Sequence, residues 1–171
     1  MSAEIIDTYD DTTSPALAFI GYIESILTDD IDGMNQFEKT FGRNYMGVGA
    51  AAICLVTVSV FERPEFVLLQ ARQTYAGFTT SPTKRASQRF IEDLLESYAH
   101  QEVHEHEHDD DDGHMHSFGI DLTFGRTPRV RYLRALAAVS ITLIATLETH
   151  SGHSIEAQLI DMRRHFMPSP A

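Results

Sequence analysis

The chain has one cysteine, Cys54, in 171 residues. A single thiol cannot close an internal disulfide, so nothing here calls for an oxidising compartment. The N-terminal MSAEIIDTYDD is acidic and lacks a basic segment followed by an apolar stretch. The expected address is therefore the cytoplasm or the interior of a host cell. A Gly-rich phosphate loop is also missing, since Gly42, Gly47 and Gly49 have neither the spacing nor the following Lys. Positive charge is scarce: 13 Lys and Arg face 25 Asp and Glu, a formal net charge of −12. A field of that sign repels polyphosphate and disfavours sequence-independent nucleic-acid binding. Membrane-length apolar runs are absent as well. The uncharged stretch 44–61 contains Gly47, Gly49, Thr57 and Ser59, and 135–147 is shorter still. A helical span takes about 20 apolar residues, so membrane insertion is not expected.

What the chain does have is 43% hydrophobic residues, gathered in runs between turn signals. That suffices for one good core or two small fused ones. The runs recur in order. Thr12-Thr13-Ser14-Pro15 returns as Thr79-Thr80-Ser81-Pro82, and Tyr22-Ile-Glu-Ser-Ile-Leu27 as Phe90-Ile-Glu-Asp-Leu-Leu95. Phe41-Gly42-Arg43 returns as Phe124-Gly125-Arg126, and Ala51-Ala52 before an apolar run as Ala137-Ala138. Leu68-Leu-Gln-Ala-Arg-Gln-Thr-Tyr75 is echoed by Leu159-Ile-Asp-Met-Arg-Arg-His-Phe166. The offset grows from 67 to 83 mainly across 101–116, QEVHEHEHDDDDGHMH. The pattern predicts an all-α fold: a three-helix unit duplicated as a pseudo-twofold single domain, with a His/Asp-rich loop inserted. The first unit would span 12–78 and the second 79–167, interrupted by the loop at 100–117.

Local signals place the helices. Ser14-Pro15 caps and opens one over 15–28, ended by Asp29-Asp30-Ile31-Asp32-Gly33. Ser81-Pro82 opens its counterpart, with Phe90, Ile91, Leu94, Leu95 and Tyr98 on the apolar face. The stretch 44–61 reads as a buried central helix, although Val-Thr-Val-Ser-Val at 56–60 also fits a strand. Pro64 opens a helix over 64–76 that Gly77 ends, and Ser154 caps a last one over 155–166. The segment 119–124 reads as the return from the insertion.

A short helix, a long central helix and a short helix, used twice, resembles a histone-fold doublet. The local similarity is greatest at Ser154-Ile155-Glu156-Ala157-Gln158-Leu159-Ile160-Asp161-Met162, which is similar to that family's loop and third helix. The resemblance implies a fused pair of histone-like units. It does not carry the DNA contacts. Leu159 stands where the family has an Asp, and the loop Thr149-His-Ser-Gly-His-Ser154 lacks the family's Arg or Lys.

Several groups could carry chemistry. His104, His106, His108, His114 and His116, with Asp112, form a metal-competent tract, since imidazole suits Zn²⁺ and Ni²⁺ and carboxylates add oxygen ligands. In an extended chain His104, His106 and His108 project to one side, and Asp112-Gly113 could turn the last two back towards them. Seven acids lie in this tract, which leaves about −5 on the rest of the chain. Arg126, Arg129, Arg131 and Arg134 could contact phosphates or an acidic partner, or neutralise nearby acids. Asp161 and His165 are one helical turn apart near His150 and His153, a dyad or metal cluster on one reading and an ordinary helix end on the other. Cys54, among Ile53, Leu55 and Val56, reads as an inert buried thiol. The expected function is a non-enzymatic, partner-binding adaptor or assembly protein with a divalent-metal-competent loop, its partner another protein or a second copy of the chain. The alternatives are a nucleic-acid-associated histone-like doublet and a metal carrier or sensor.

Overall fold

Ser14 opens α1 (Pro15–Leu27) as its residue type demands, its hydroxyl accepting the Leu17 N–H at 3.4 Å in front of Pro15. The computed structural model describes residues 4–7, 14–76, 82–107 and 128–167. These form seven α-helices, with one isolated bridge, Ile6 to Phe41, and no strand among the described residues. The acidic stretch after α1 does not end helical structure as expected. Asp29 takes a left-handed φ of 55°, and Asp30 then caps a new helix, α2 (Ile31–Thr40), by accepting the Gly33 N–H at 3.0 Å. The first half therefore has four helices where three were expected.

The central segment is helical, α3 (Arg43–Ser59), so the strand suggested by the valine alternation does not form. Gly42 offers no side-chain cap to α3. The cap comes from afar: Asp7 accepts the Asn44 N–H at 2.8 Å and the Asn44 side-chain amide at 3.1 Å. Pro64 opens α4 (Pro64–Ala76), and Pro82 opens α5 (Pro82–Glu107). After the undescribed 108–127 come α6 (Arg129–Ser151) and α7 (Ile155–Phe166). Gly152, at φ 76°, ends α6 in the left-handed cap that glycine adopts without penalty, and Ser154 starts α7 by accepting the Ala157 N–H at 3.1 Å.

The core centres on α3 packed against α6. Helix α1 lies on α3 and α5 on α6, while α4 rests on α5 and α7 touches α1. Gly49 lets α1 come close, since a Cβ there would sit 2.3 Å from the Pro15 carbonyl oxygen. On α3, Ala50, Ile53, Cys54 and Val58 are sealed from solvent. So are Leu136, Val139, Ser140 and Ile144 on α6. Each large apolar side chain buried this way contributes about 1.5–3 kcal/mol before entropy is set against it. Helix α6 is long and apolar enough to cross a membrane, but 56% of that window is buried against the other helices. Its apolar residues have a place in this core.

Offset by 86 residues, α3 and α6 begin together and bury the same positions throughout 46–58 and 132–144. Cys54 corresponds to Ser140 in that register, and Cys54 Sγ lies 3.3 Å from Ser140 Oγ. Two ion pairs run the other way around the same centre. Glu24 on α1 meets Arg163 on α7 at 2.7 Å, and Glu92 on α5 meets Arg72 on α4 at 3.1 Å. In the sequence repeats Glu24 aligns with Glu92, and Arg72 with Arg163.

Candidate functional site

Two arginines near the start of α6, Arg129 and Arg134, reach across to α2. Arg129 donates from Nη1 to the Glu38 carbonyl and to the Phe41 carbonyl, the latter at 2.9 Å. A cation at those terminal carbonyls of α2 meets the negative end of the helix dipole. Arg134 Nε lies 3.0 Å from Glu38 Oε1, which also accepts the Tyr22 hydroxyl at 2.8 Å. Glu38 is only 4% exposed, so this is a buried carboxylate with two partners. Burial, then the hydrogen bond it donates to Glu38, pushes the Tyr22 phenol well above its ordinary range. The hydrogen bond to Glu38 also raises Arg134. Two of the four arginines singled out in the sequence thus link α6 to α2. Arg131 and Arg134 are exposed, and Arg126 lies outside the described residues.

Of the expected metal ligands, His108, Asp112, His114 and His116 lie outside the described residues. His104 and His106 fall within α5, whose backbone is helical to Glu107. Among the described residues no group of three His, Cys, Asp or Glu is placed to hold a metal ion. Cys54 is sealed in the core, and burial pushes its thiol up to about 12. That is the environment of an unreactive cysteine.

The residues around α7 do gather. A cleft of about 340 Å³ between the ends of α3 and α6 and one face of α7 is lined by Val56, Thr57, Val60, Leu147, Ser151, His153, Gln158, Asp161, Met162 and His165. Asp161, His165 and His153 all line it, without forming a group placed to hold a metal ion. His150 is elsewhere, its ring 5.1 Å from Phe61 in a second cleft with Arg63, Phe66, Val67, Gln70 and Thr146. Gln158 was missed. It sits on the buried stripe of α7 with Leu159 and Met162, and its Nε2 donates to the Ile144 carbonyl at 3.1 Å and the His153 carbonyl at 3.0 Å. Its Oε1 is buried and finds no donor among the described residues. The available signal was a polar residue one turn after Ile155 on an otherwise apolar face.

Beyond the clefts, α4 turns Phe66 and Leu69 outwards, 57% and 43% exposed and one turn apart. A shallow surface formed with Glu62, Arg63, Pro64, Glu65 and Tyr98 surrounds them. No family model matches the chain, and neither a curated protein nor a solved structure matches it significantly.

Proposed function

We propose that the chain is a partner-binding helical protein, built as two fused units around a pseudo-twofold axis and carrying a metal-competent His/Asp tract. The observation that carries the binding reading is the outward pair Phe66 and Leu69 on α4, in a fold where Phe19, Tyr45 and Phe90 are buried. Exposed apolar side chains one turn apart, rimmed by Glu62, Arg63 and Glu65, suit a protein partner presenting an apolar stripe with mixed charge at its edges. The two-unit reading is supported by Cys54 meeting its counterpart Ser140, as a residue on a two-fold must, and by the reciprocal Glu24–Arg163 and Glu92–Arg72 pairs. On this reading α5 replaces the broken pair α1 and α2: both segments run 26 residues from an opening proline, 82–107 and 15–40.

The resemblance to a histone-fold doublet rests on the same arrangement, with two long helices packed together and each unit's last helix against the other unit's first. It does not extend to nucleic acid, because Arg129 and Arg134 are already paired with α2. Photo-crosslinking from position 66 in the source cell tests the main reading, with position 160 on α7 as the reference. A defined partner should be captured at 66 and lost with Leu69→Asp. Equal capture from both positions would remove α4 as the interface. The tract is tested by titrating Zn²⁺ or Ni²⁺ into the parent and into a chain lacking 101–116. Removing the imidazoles should abolish most affinity while the helical circular dichroism signal persists, and unchanged affinity would place the metal elsewhere.

A further inference from the structure

Helices α4 and α5 run antiparallel, which sets what lies beside Phe66 and Leu69. Arg72 meets Glu92 at 3.1 Å near one end of the pair. Towards the other end, Tyr98 shares a shallow depression with Phe66 and Leu69. Helix α4 begins at Pro64, whereas α5 continues past Tyr98 to Glu107. At 1.5 Å per residue that continuation is about 13 Å long. The apolar pair thus lies at the corner where α4 starts and α5 runs on. Anchors one turn apart on a helical face suit a second helix packed against them. With no strand among the described residues, the fold offers no sheet edge to an extended peptide.

The charge at this corner is mixed but unequal. Glu62, Arg63 and Glu65 are exposed and line the depression. Neither carboxylate has an ion-pair partner among the described residues. Arg63 offsets one of them, and Arg72 is already matched by Glu92. From 99 to 107 the sequence adds Glu102, Glu105 and Glu107 and no Lys or Arg. Segments 62–65 and 99–107 together hold five Glu against one Arg, a formal balance of −4. The whole chain, at −12, repels a second copy of itself and draws cations towards it.

We propose that the α4 face docks a cationic amphipathic helix of another protein. This rests on the reading of α4 as the partner surface and names the chemistry of what it takes. The apolar stripe of the incoming helix lies on Phe66, Leu69 and Tyr98. Lysines and arginines along its edge meet Glu62, Glu65 and the acidic end of α5, with an acid opposite Arg63. The apolar contact supplies most of the affinity. The charges at the edge set the rate of approach and the choice of partner.

The test uses the full chain and three designed helical peptides with one leucine stripe on an alanine background. Their edge positions are all lysine, all glutamine or all glutamate, and fluorescence anisotropy follows the binding of each. The lysine peptide should bind at least about tenfold tighter than the glutamate peptide, the gap narrowing as salt is raised. Leu69→Asp should abolish that binding and keep the parent's melting curve, while Ile160→Asp on α7 should leave binding as it was. Glu62→Lys with Glu65→Lys should close most of the gap between the peptides. Glu4→Lys with Glu156→Lys changes the net charge equally at exposed positions elsewhere, and should leave the gap open. Lysine-peptide binding that survives Leu69→Asp would overturn the docking site. Equal affinity for the lysine and glutamate peptides, both lost with Leu69→Asp, would overturn the cationic class and leave α4 as an interface. A dimer on a sizing column that Leu69→Asp dissolves would give the face to a second copy instead. Failure of all three peptides would also overturn the proposal, and crosslinking from position 66 would still judge the partner surface separately.

Discussion

Cys54 Sγ and Ser140 Oγ lie 3.3 Å apart in the sealed contact between α3 and α6, 86 residues apart in sequence. That interval is also the offset at which both helices start and at which their buried positions coincide. On the two-unit reading proposed above, these residues lie beside a two-fold axis, where an element meets its own counterpart. The ion pairs Glu24–Arg163 and Glu92–Arg72 then follow as one contact made twice, once in each direction. With side chains 40–46% exposed these pairs add little stability, so they mark the arrangement more than they hold it.

On the two-unit reading each half covers an apolar face of the other, and the connection at 77–81 is not needed to hold them together. A protease site placed within 77–81 should therefore give a nicked protein that elutes as one species and keeps its helical signal. The contacts α3 to α6, α4 to α5 and α1 to α7 all cross that cut. Fragments that separate on a sizing column in native buffer would show that the chain connection, not the interface, holds the halves.

The thiol on that axis should be silent. Burial raises Cys54 to about 12, so almost no thiolate exists near neutral pH, and the side chain is 0% exposed. A chromogenic disulfide reagent should find no reactive thiol in the folded protein and one equivalent in denaturant. Rapid native reaction would mean that α3 and α6 part readily.

Helix starts were legible because their causes are local: Ser14, Pro15, Pro64, Pro82 and Ser154 act on their own turns. So was the uncharged centre, because a charge-free helix has no solvent face. Helix α2 was not. Its acidic opening looks like a stop, and the groups that hold it come from α1 and α6: Tyr22 and Arg134 on Glu38, and Arg129 on its last carbonyls. The same contacts tie Arg129 and Arg134 to α2, which no local signal in the sequence announced. Gln158 was hidden because a polar residue on an apolar face declares its role only when its partners, Ile144 and His153, are known.

The register makes a paired prediction about the core. Ile53 and Val139 occupy matched positions and are both 0% exposed. Ile53→Asp and Val139→Asp should each destabilise strongly, by more than about 4 kcal/mol, since each places an unpaired carboxylate in the core. Val48→Asp, on the same helix as Ile53 but 45% exposed, should cost under about 1 kcal/mol. Chemical denaturation of the three variants checks this. A Val139→Asp protein that melts within about a degree or two of the parent would remove that residue from the core.

Alkaline pH should unfold this protein earlier than its acidic composition suggests. Tyr22, Tyr132 and Cys54 all have proton affinities raised in the fold, chiefly by burial. In the unfolded chain a thiol gives up its proton near about pH 8.5 and a phenol near about pH 10, while the folded groups keep theirs. The unfolded state then binds fewer protons than the folded one, so stability falls as pH rises. The contribution is fully present below about pH 8. It is lost upwards from there, at a ceiling of about 1.4 kcal/mol per pH unit for each group. Urea midpoints measured between about pH 8 and 11 should decline steadily, and Tyr22→Phe should flatten the slope by removing one titrating group. That variant also starts lower at pH 8, because Glu38 loses a 2.8 Å hydrogen bond in a site where it is 4% exposed. Midpoints that stay level across the range would mean that water reaches these hydroxyls and the thiol in the folded protein.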